Sequence, residues 1–138
     1  MFENPTDEVI EKILSSASTI AVVGLSDQPN RPSYGVAHYL QQHGYKIIPV
    51  NPNAKEVLGV RSVPSLSALD DAVDIIDVFR NSAALEGVVQ ESLGLSAPVI
   101  WAQLGVHDEA AAQLAQSHGK TIIMDKCIKV EHARLVRQ

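Results

Sequence analysis

A repeated alternation constrains this chain more than any other feature. Short, continuously apolar segments recur, and stretches with helical spacing separate most of them. The apolar segments are TIAVVGL from Thr19, YKIIPVNP from Tyr45, VDIIDVF from Val73, APVIWAQ from Ala97 and KTIIMD from Lys120. A strand that is apolar on both faces offers no face to water, so it belongs in a parallel sheet covered on both sides. Helices are expected in SYGVAHYLQQHG, SAALEGVVQESLGLS and HDEAAAQLAQSHG, with Gly44 and Gly119 as stops to the first and third. Right-handed crossovers then give an α/β fold, a Rossmann-like doubly wound sheet of about five parallel strands with helices on both faces.

The ends are expected to be helical. NPTDEVIEKILSSAS reads as a helix capped by Asn4, with Pro5 at its first position and Asp7 and Glu8 near its positive end. Val9, Ile10, Ile13, Leu14 and Ala17 form an apolar stripe, so residues 1–18 are expected to pack on the rest of one domain spanning 1–138. That stripe could equally serve a homodimer. VEHARLVRQ reads as a last helix. AKEVLGVRSVPSLSALDDA is the least regular stretch, with a turn and a short helix expected near Ser67 to Ala72.

Composition narrows the class. The chain has 138 residues, 46% hydrophobic and 20% charged, which suits one globular domain. A net charge of −5 argues against nucleic acid or an anionic membrane as main partner. The single cysteine, Cys127, can form no internal disulfide, and no Cys/His cluster suggests zinc. No apolar run approaches the ~20 residues of a membrane span, and the acidic start has no signal-peptide core. The expected location is cytoplasmic.

In doubly wound sheets, ligands bind outside the carboxyl ends of the strands. The first such end reads GLSDQPNRPSYG. Gly24 permits a sharp turn and close approach of a ligand, with Leu25 and Ser26 following. Pro32 and Ser33 suit a helix start, whose free N–H groups favour an anion, and Arg31 stands beside it. The dinucleotide fingerprint G-x-G-x-x-G and an acid after the second strand are both absent, as is a Walker loop. This argues against NAD in its usual pose and against a P-loop triphosphatase. Asn51 and Pro52 are either a turn or a meeting point for adenine or ribose. Arg80, after Phe79, is a phosphate candidate. Trp101 most simply packs in the core, whereas Gln103 and Gly105 are harder to explain by packing. Met124, Asp125, Lys126 and Cys127 end the last strand. A nearby lysine and a helix start would raise the thiolate fraction of Cys127, though a buried small hydrophobe is the commoner role. The five histidines show no ligand spacing, and Asp77 is expected to satisfy backbone groups.

VVGLS, RPSYGVAHYLQQHGYKIIPVNP, VLGVRSVPSL, VDIIDVFR, VIWAQLGV and MDKCIKVEH, in this order, resemble the small bacterial CoA-binding proteins. These are stand-alone relatives of the CoA-binding domain of the succinyl-CoA synthetase α subunit. The resemblance runs from about Thr19 to Leu135. It implies coenzyme A at the carboxyl edge of the sheet. Gly24, Leu25 and Ser26, with Arg31, Pro32, Ser33 and Tyr34, would surround the diphosphate. Asn51 and Pro52 would lie by the adenosine, bordered by Phe79 and Arg80. Trp101, Gln103 and the edge from Met124 through Lys126 to Cys127 would flank the rest; Gly105, read from its strand-end position alone, would line the groove and give close approach. The resemblance supplies a ligand and no reaction, and ligase activity is not carried over.

Three functions compete on this reading. The first is a binding, sensor or carrier module for coenzyme A or acyl-CoA, alone or with a protein partner. Its extension is a mixed disulfide between Cys127 and the cofactor thiol. The second is an enzyme acting on a CoA thioester or related nucleotide, with Asp125, Lys126 and Cys127 as its compact candidates. The third is a phosphorylation-switched domain of flavodoxin-like fold, which Asp27, Asp77 and Lys126 imitate loosely.

Overall fold

A computed structural model of the chain describes residues 1–137. Five parallel strands form the principal sheet: β1 (Thr19–Val23), β2 (Lys46–Val50), β5 (Ile75–Val78), β6 (Val99–Ala102) and β7 (Thr121–Ile123). Their spatial order is β2-β1-β5-β6-β7, so the winding reverses between β1 and β5. This is a doubly wound order with its switch point at the β1/β5 boundary. β3 (Glu56–Val57) and β4 (Val60–Arg61) form a separate antiparallel hairpin.

Period-two alternation divides the core. On one face, Ala21, Ile76, Ile100 and Ile122 meet Leu85, Val88 and Val89 of α3 (Ser82–Ser92) and Ala111, Ala112 and Ala115 of α4 (Glu109–Ser117). On the other, Ile20, Val22, Ile75, Val99 and Trp101 meet α1 (Asp7–Ser16), α2 (Pro32–Gln42) and α5 (Ile128–Leu135). Ile10 and Leu14 of α1 are fully buried in this second layer, each stabilising it by about 1.5–3 kcal/mol. Val9, placed in the same stripe by spacing, is exposed. Arg134 of α5 ties the helix back to Asp7 at 2.8 and 2.9 Å.

Several local expectations are corrected. α1 is capped by Thr6, not Asn4, and begins at Asp7, leaving Pro5 outside it. Asn4 instead pairs with the end of β7: its amide donates to the Met124 carbonyl and accepts from the Met124 N–H, each at 2.8 Å. A side chain thus substitutes for a strand partner at this edge. The irregular segment holds the β3–β4 hairpin, turned by Leu58 and Gly59 at φ +55° and +77°, the pattern of a tight two-residue loop. The short helix is a single 3₁₀ turn at Leu66–Ala68, earlier than expected. The last helix starts at Ile128, and Gln138 of its expected span lies outside the described residues. No described helix is long and apolar enough to cross a membrane.

Candidate functional site

A groove with a cavity volume of about 670 Å³ opens at the carboxyl ends of β1, β5 and β6. Of the expected residues, Gly24, Ser26, Arg31, Pro32, Ser33, Phe79, Arg80, Gln103 and Cys127 line it. They come from four separate strand ends, which the topology brings together.

Gly24 builds the turn that opens the groove. Its φ is +81°, and a Cβ there would stand 2.4 Å from the carbonyl oxygen of Phe79. The close approach is therefore between the ends of β1 and β5. Beyond the turn, two serines shape the loop. The Ser26 N–H donates to the Ser33 hydroxyl and the Gln28 N–H to the Ser26 hydroxyl, both at 3.0 Å. α2 then starts at Pro32 with Arg31 in the N-cap position, and no side chain caps it. In its first turn Pro32 has no N–H and the Tyr34 N–H is bonded to the Arg31 carbonyl at 3.1 Å, so the Ser33 N–H is the donor left free among the described residues, beside the partial positive charge of the helix start. Arg31 and Arg80 are the charged residues of the lining, and neither forms an ion pair among the described residues.

The far side is held by a tied loop. The Gly105 N–H donates to Asp125 at 2.6 Å, and the His107 N–H donates to the Ser82 hydroxyl at 3.0 Å. Gln103 is only 6% exposed, and its side-chain oxygen accepts from the Ile128 N–H at 3.2 Å. Cys127 is half-buried in the N-cap position of α5, where its own side chain makes no capping bond.

Eight expected residues stand elsewhere. Leu25 is fully buried under α2, with its carbonyl accepting from the Asn51 amide at 2.8 Å. Trp101 is in the same core layer, its indole N–H donating to the Lys126 carbonyl at 2.8 Å. Met124 is buried in the opposite layer. Tyr34 packs beside the core near His38. Lys126 pairs with the buried Glu131 at 3.7 Å. Gly105 belongs to the tied loop. Asn51 and Pro52 line a neighbouring hollow of about 380 Å³ with Ala54, Lys55, Arg61, Ser62 and Pro64. Gln28, Val36, Asn81, Leu104 and Val106 line the groove without having been singled out from the sequence. Asn81 carried a signal, being a good cap residue directly before SAALE, and it does cap α3 by accepting from the Ala84 N–H at 3.0 Å.

Asp77 lies outside the groove. It shares the face of Ile75, between Val22 and Trp101 of the flanking strands. It is 0% exposed and both carboxylate oxygens lack a partner, contrary to the backbone role expected for it. No phosphoryl donor reaches a residue so enclosed, which removes the basis of the phosphorylation-switch reading. Burial pushes its carboxyl well above the ordinary range. An unfolded aspartate titrates near about pH 3.9, and below that both states hold the proton. Above it the unfolded chain loses the proton while the fold keeps it, so stability falls as pH rises towards the folded value. Asp77→Asn should therefore gain on the parent by up to about 1.4 kcal/mol per pH unit from pH 4 upward. Guanidinium unfolding across that range measures this, and a pH-independent difference would contradict it.

Comparison with known proteins adds a family. A family model described as CoA binding domain matches residues 18–133. An uncharacterized protein of Bacillus subtilis, YneT, is 50% identical over 131 residues, covering 95% of this chain and 97% of that protein. The solved structure of a hypothetical protein from Pyrococcus horikoshii superposes with a TM-score of 0.92 at 34% identity, over 99% of this chain and 100% of the other. The ADP-forming acetate–CoA ligase II of Archaeoglobus fulgidus is 37% identical over 59 residues, 41% of this chain and 9% of the ligase.

Proposed function

The chain belongs to the CoA binding domain family, and from that premise we propose that its groove holds coenzyme A or an acyl derivative as a binding module. The observation that carries this reading is the uncapped start of α2 flanked by Arg31 and Arg80 at the β1/β5 switch point. A diphosphate suits that place, because helix N–H groups and a guanidinium fork both favour phosphate oxygens. The glycines of the dinucleotide fingerprint are not needed, since Gly24 already makes the turn.

The hollow beyond Asn51 gives the reading its second part. Coenzyme A carries a 3′-phosphate besides its diphosphate, and Lys55 and Arg61 are the cations of that hollow. The Asn51 amide is occupied by Leu25 and by the Asn53 N–H, so it positions the loop, leaving the charged pair to meet the phosphate. Titration with 3′-dephospho-CoA tests this. It should bind about tenfold more weakly than coenzyme A, as expected for a charge-assisted hydrogen bond. Lys55→Ala with Arg61→Ala should erase the difference. Equal affinity for both ligands in the parent protein would contradict the assignment.

The lining carries no carboxylate and no imidazole among the described residues, which supports holding the ligand over turning it over. Cys127 adds a covalent option. Its thiolate can attack oxidised CoA, forming the protein–CoA disulfide and releasing one CoA thiolate. Intact mass after incubation with oxidised CoA should show one CoA-sized adduct, absent in Cys127→Ser. A parent protein of unchanged mass would end this extension.

A further inference from the structure

We propose that Gln103 reads the carbonyl oxygen of a thioester, so that the groove prefers short-chain acyl-CoA to free coenzyme A. The proposal rests on the reading of the groove as a coenzyme A site.

The orientation of the Gln103 amide is fixed by its partner. A backbone N–H only donates, so the group 3.2 Å from the Ile128 nitrogen must be the amide oxygen. Nε2, with its two donor hydrogens, therefore faces away from α5. The residue is 6% exposed and lines the groove, so what remains open of it opens there. Nε2 has no partner among the described residues, and it is not one of the side-chain atoms sealed from solvent. A nearly buried amide is thus clamped at one end and left with donors to spare at the other. A ligand that covers these donors displaces water from them, which is unfavourable unless the ligand brings an acceptor.

Its surroundings select the acceptor. Cys127 stands beside it at the start of α5, where the first N–H is already spent on the Gln103 oxygen, so the free donors at this end of the groove are those of the Gln103 amide. A free thiol is a weak acceptor and satisfies them poorly. A thioester carbonyl oxygen satisfies them well. Val36, Leu104 and Val106 line the same groove and suit a short alkyl group. The lining has no carboxylate and no imidazole to activate water against a thioester held there.

Calorimetric titration with acetyl-CoA, S-ethyl-CoA and coenzyme A tests the proposal. S-ethyl-CoA keeps the two-carbon group and lacks the carbonyl oxygen. The parent protein should bind acetyl-CoA about tenfold more tightly than S-ethyl-CoA, the effect of one buried hydrogen bond. Gln103→Glu retains an oxygen for the Ile128 N–H and loses the amide donor, so it should level the two affinities. Equal affinities in the parent overturn the proposal, because the amide then reads a group common to both ligands. A preference that survives in Gln103→Glu overturns it as well. Failure of all three ligands to bind the folded parent defeats the coenzyme A reading itself, a different pattern from a lost preference.

Discussion

Gly24→Ala should lower the melting temperature by about 10 °C, the shift that a loss of about 3 kcal/mol gives a domain of this size. Two costs combine. A residue with a Cβ held at φ +81° costs on the order of 1–2 kcal/mol, since the left-handed region crowds the side chain against its own backbone. The added Cβ would also stand 2.4 Å from the Phe79 carbonyl oxygen, closer than such atoms approach. Neither side can yield cheaply. The Gly24 N–H is bonded to the Val50 carbonyl at 2.9 Å, and the Phe79 N–H to the Val23 carbonyl at 2.9 Å. Relief would part the ends of β1 and β5 where the groove opens, so ligand affinity should fall with stability. Thermal unfolding followed by circular dichroism checks this. Gly35→Ala serves as the control, because a Cβ there meets nothing within 4 Å. Equal melting temperatures for the two variants would contradict the packing argument.

Arg31→Ala should weaken coenzyme A binding by tenfold or more, and Arg31→Ala with Arg80→Ala should bring it below detection. A hydrogen bond from a charged group contributes about 1.5–3 kcal/mol, which is about one to two orders of magnitude in affinity. Both guanidinium groups line the groove and no carboxylate holds either one in an ion pair. Their removal therefore breaks no internal pair, and the melting temperature should hardly move. Binding by the parent should weaken as salt is raised, and the double variant should lose that dependence. Titrations at two salt concentrations check both points. Unchanged affinity in the double variant would remove the diphosphate from this end of the groove.

The strands were legible because their signal is local. A continuously apolar run of five or so residues needs no information from elsewhere to read as a buried strand. The groove's first wall was legible for the same reason, since Gly24, Arg31 and Pro32 sit beside a strand end and a helix start. What escaped depended on distant partners or on an atypical residue. Asn4 and Thr6 are both cap types, and the choice between them was made by Met124, 120 residues away from Asn4. The β3–β4 hairpin escaped because Leu58 stands at positive φ, where a glycine or asparagine would have announced the turn. Trp101 could have been placed from alternation alone: two residues after Val99, it must share the helix-covered face of α1, α2 and α5. Gln103 lies one residue past the strand, where alternation no longer binds. His132, one of five histidines without ligand spacing, is buried, its Nδ1 2.8 Å from the Tyr39 hydroxyl. Asp77 looked like an ordinary strand aspartate, and only coordinates reveal that neither oxygen has a partner.

One titration decides whether this groove is a coenzyme A site. The purified chain, shown by circular dichroism to be folded and by mass spectrometry to be free of carried-over ligand, is titrated with coenzyme A and separately with NAD in a calorimeter. Saturable one-to-one binding of coenzyme A, with NAD much weaker, is the predicted outcome. A folded, empty protein that takes up no coenzyme A would contradict the proposed function, whatever family its sequence belongs to.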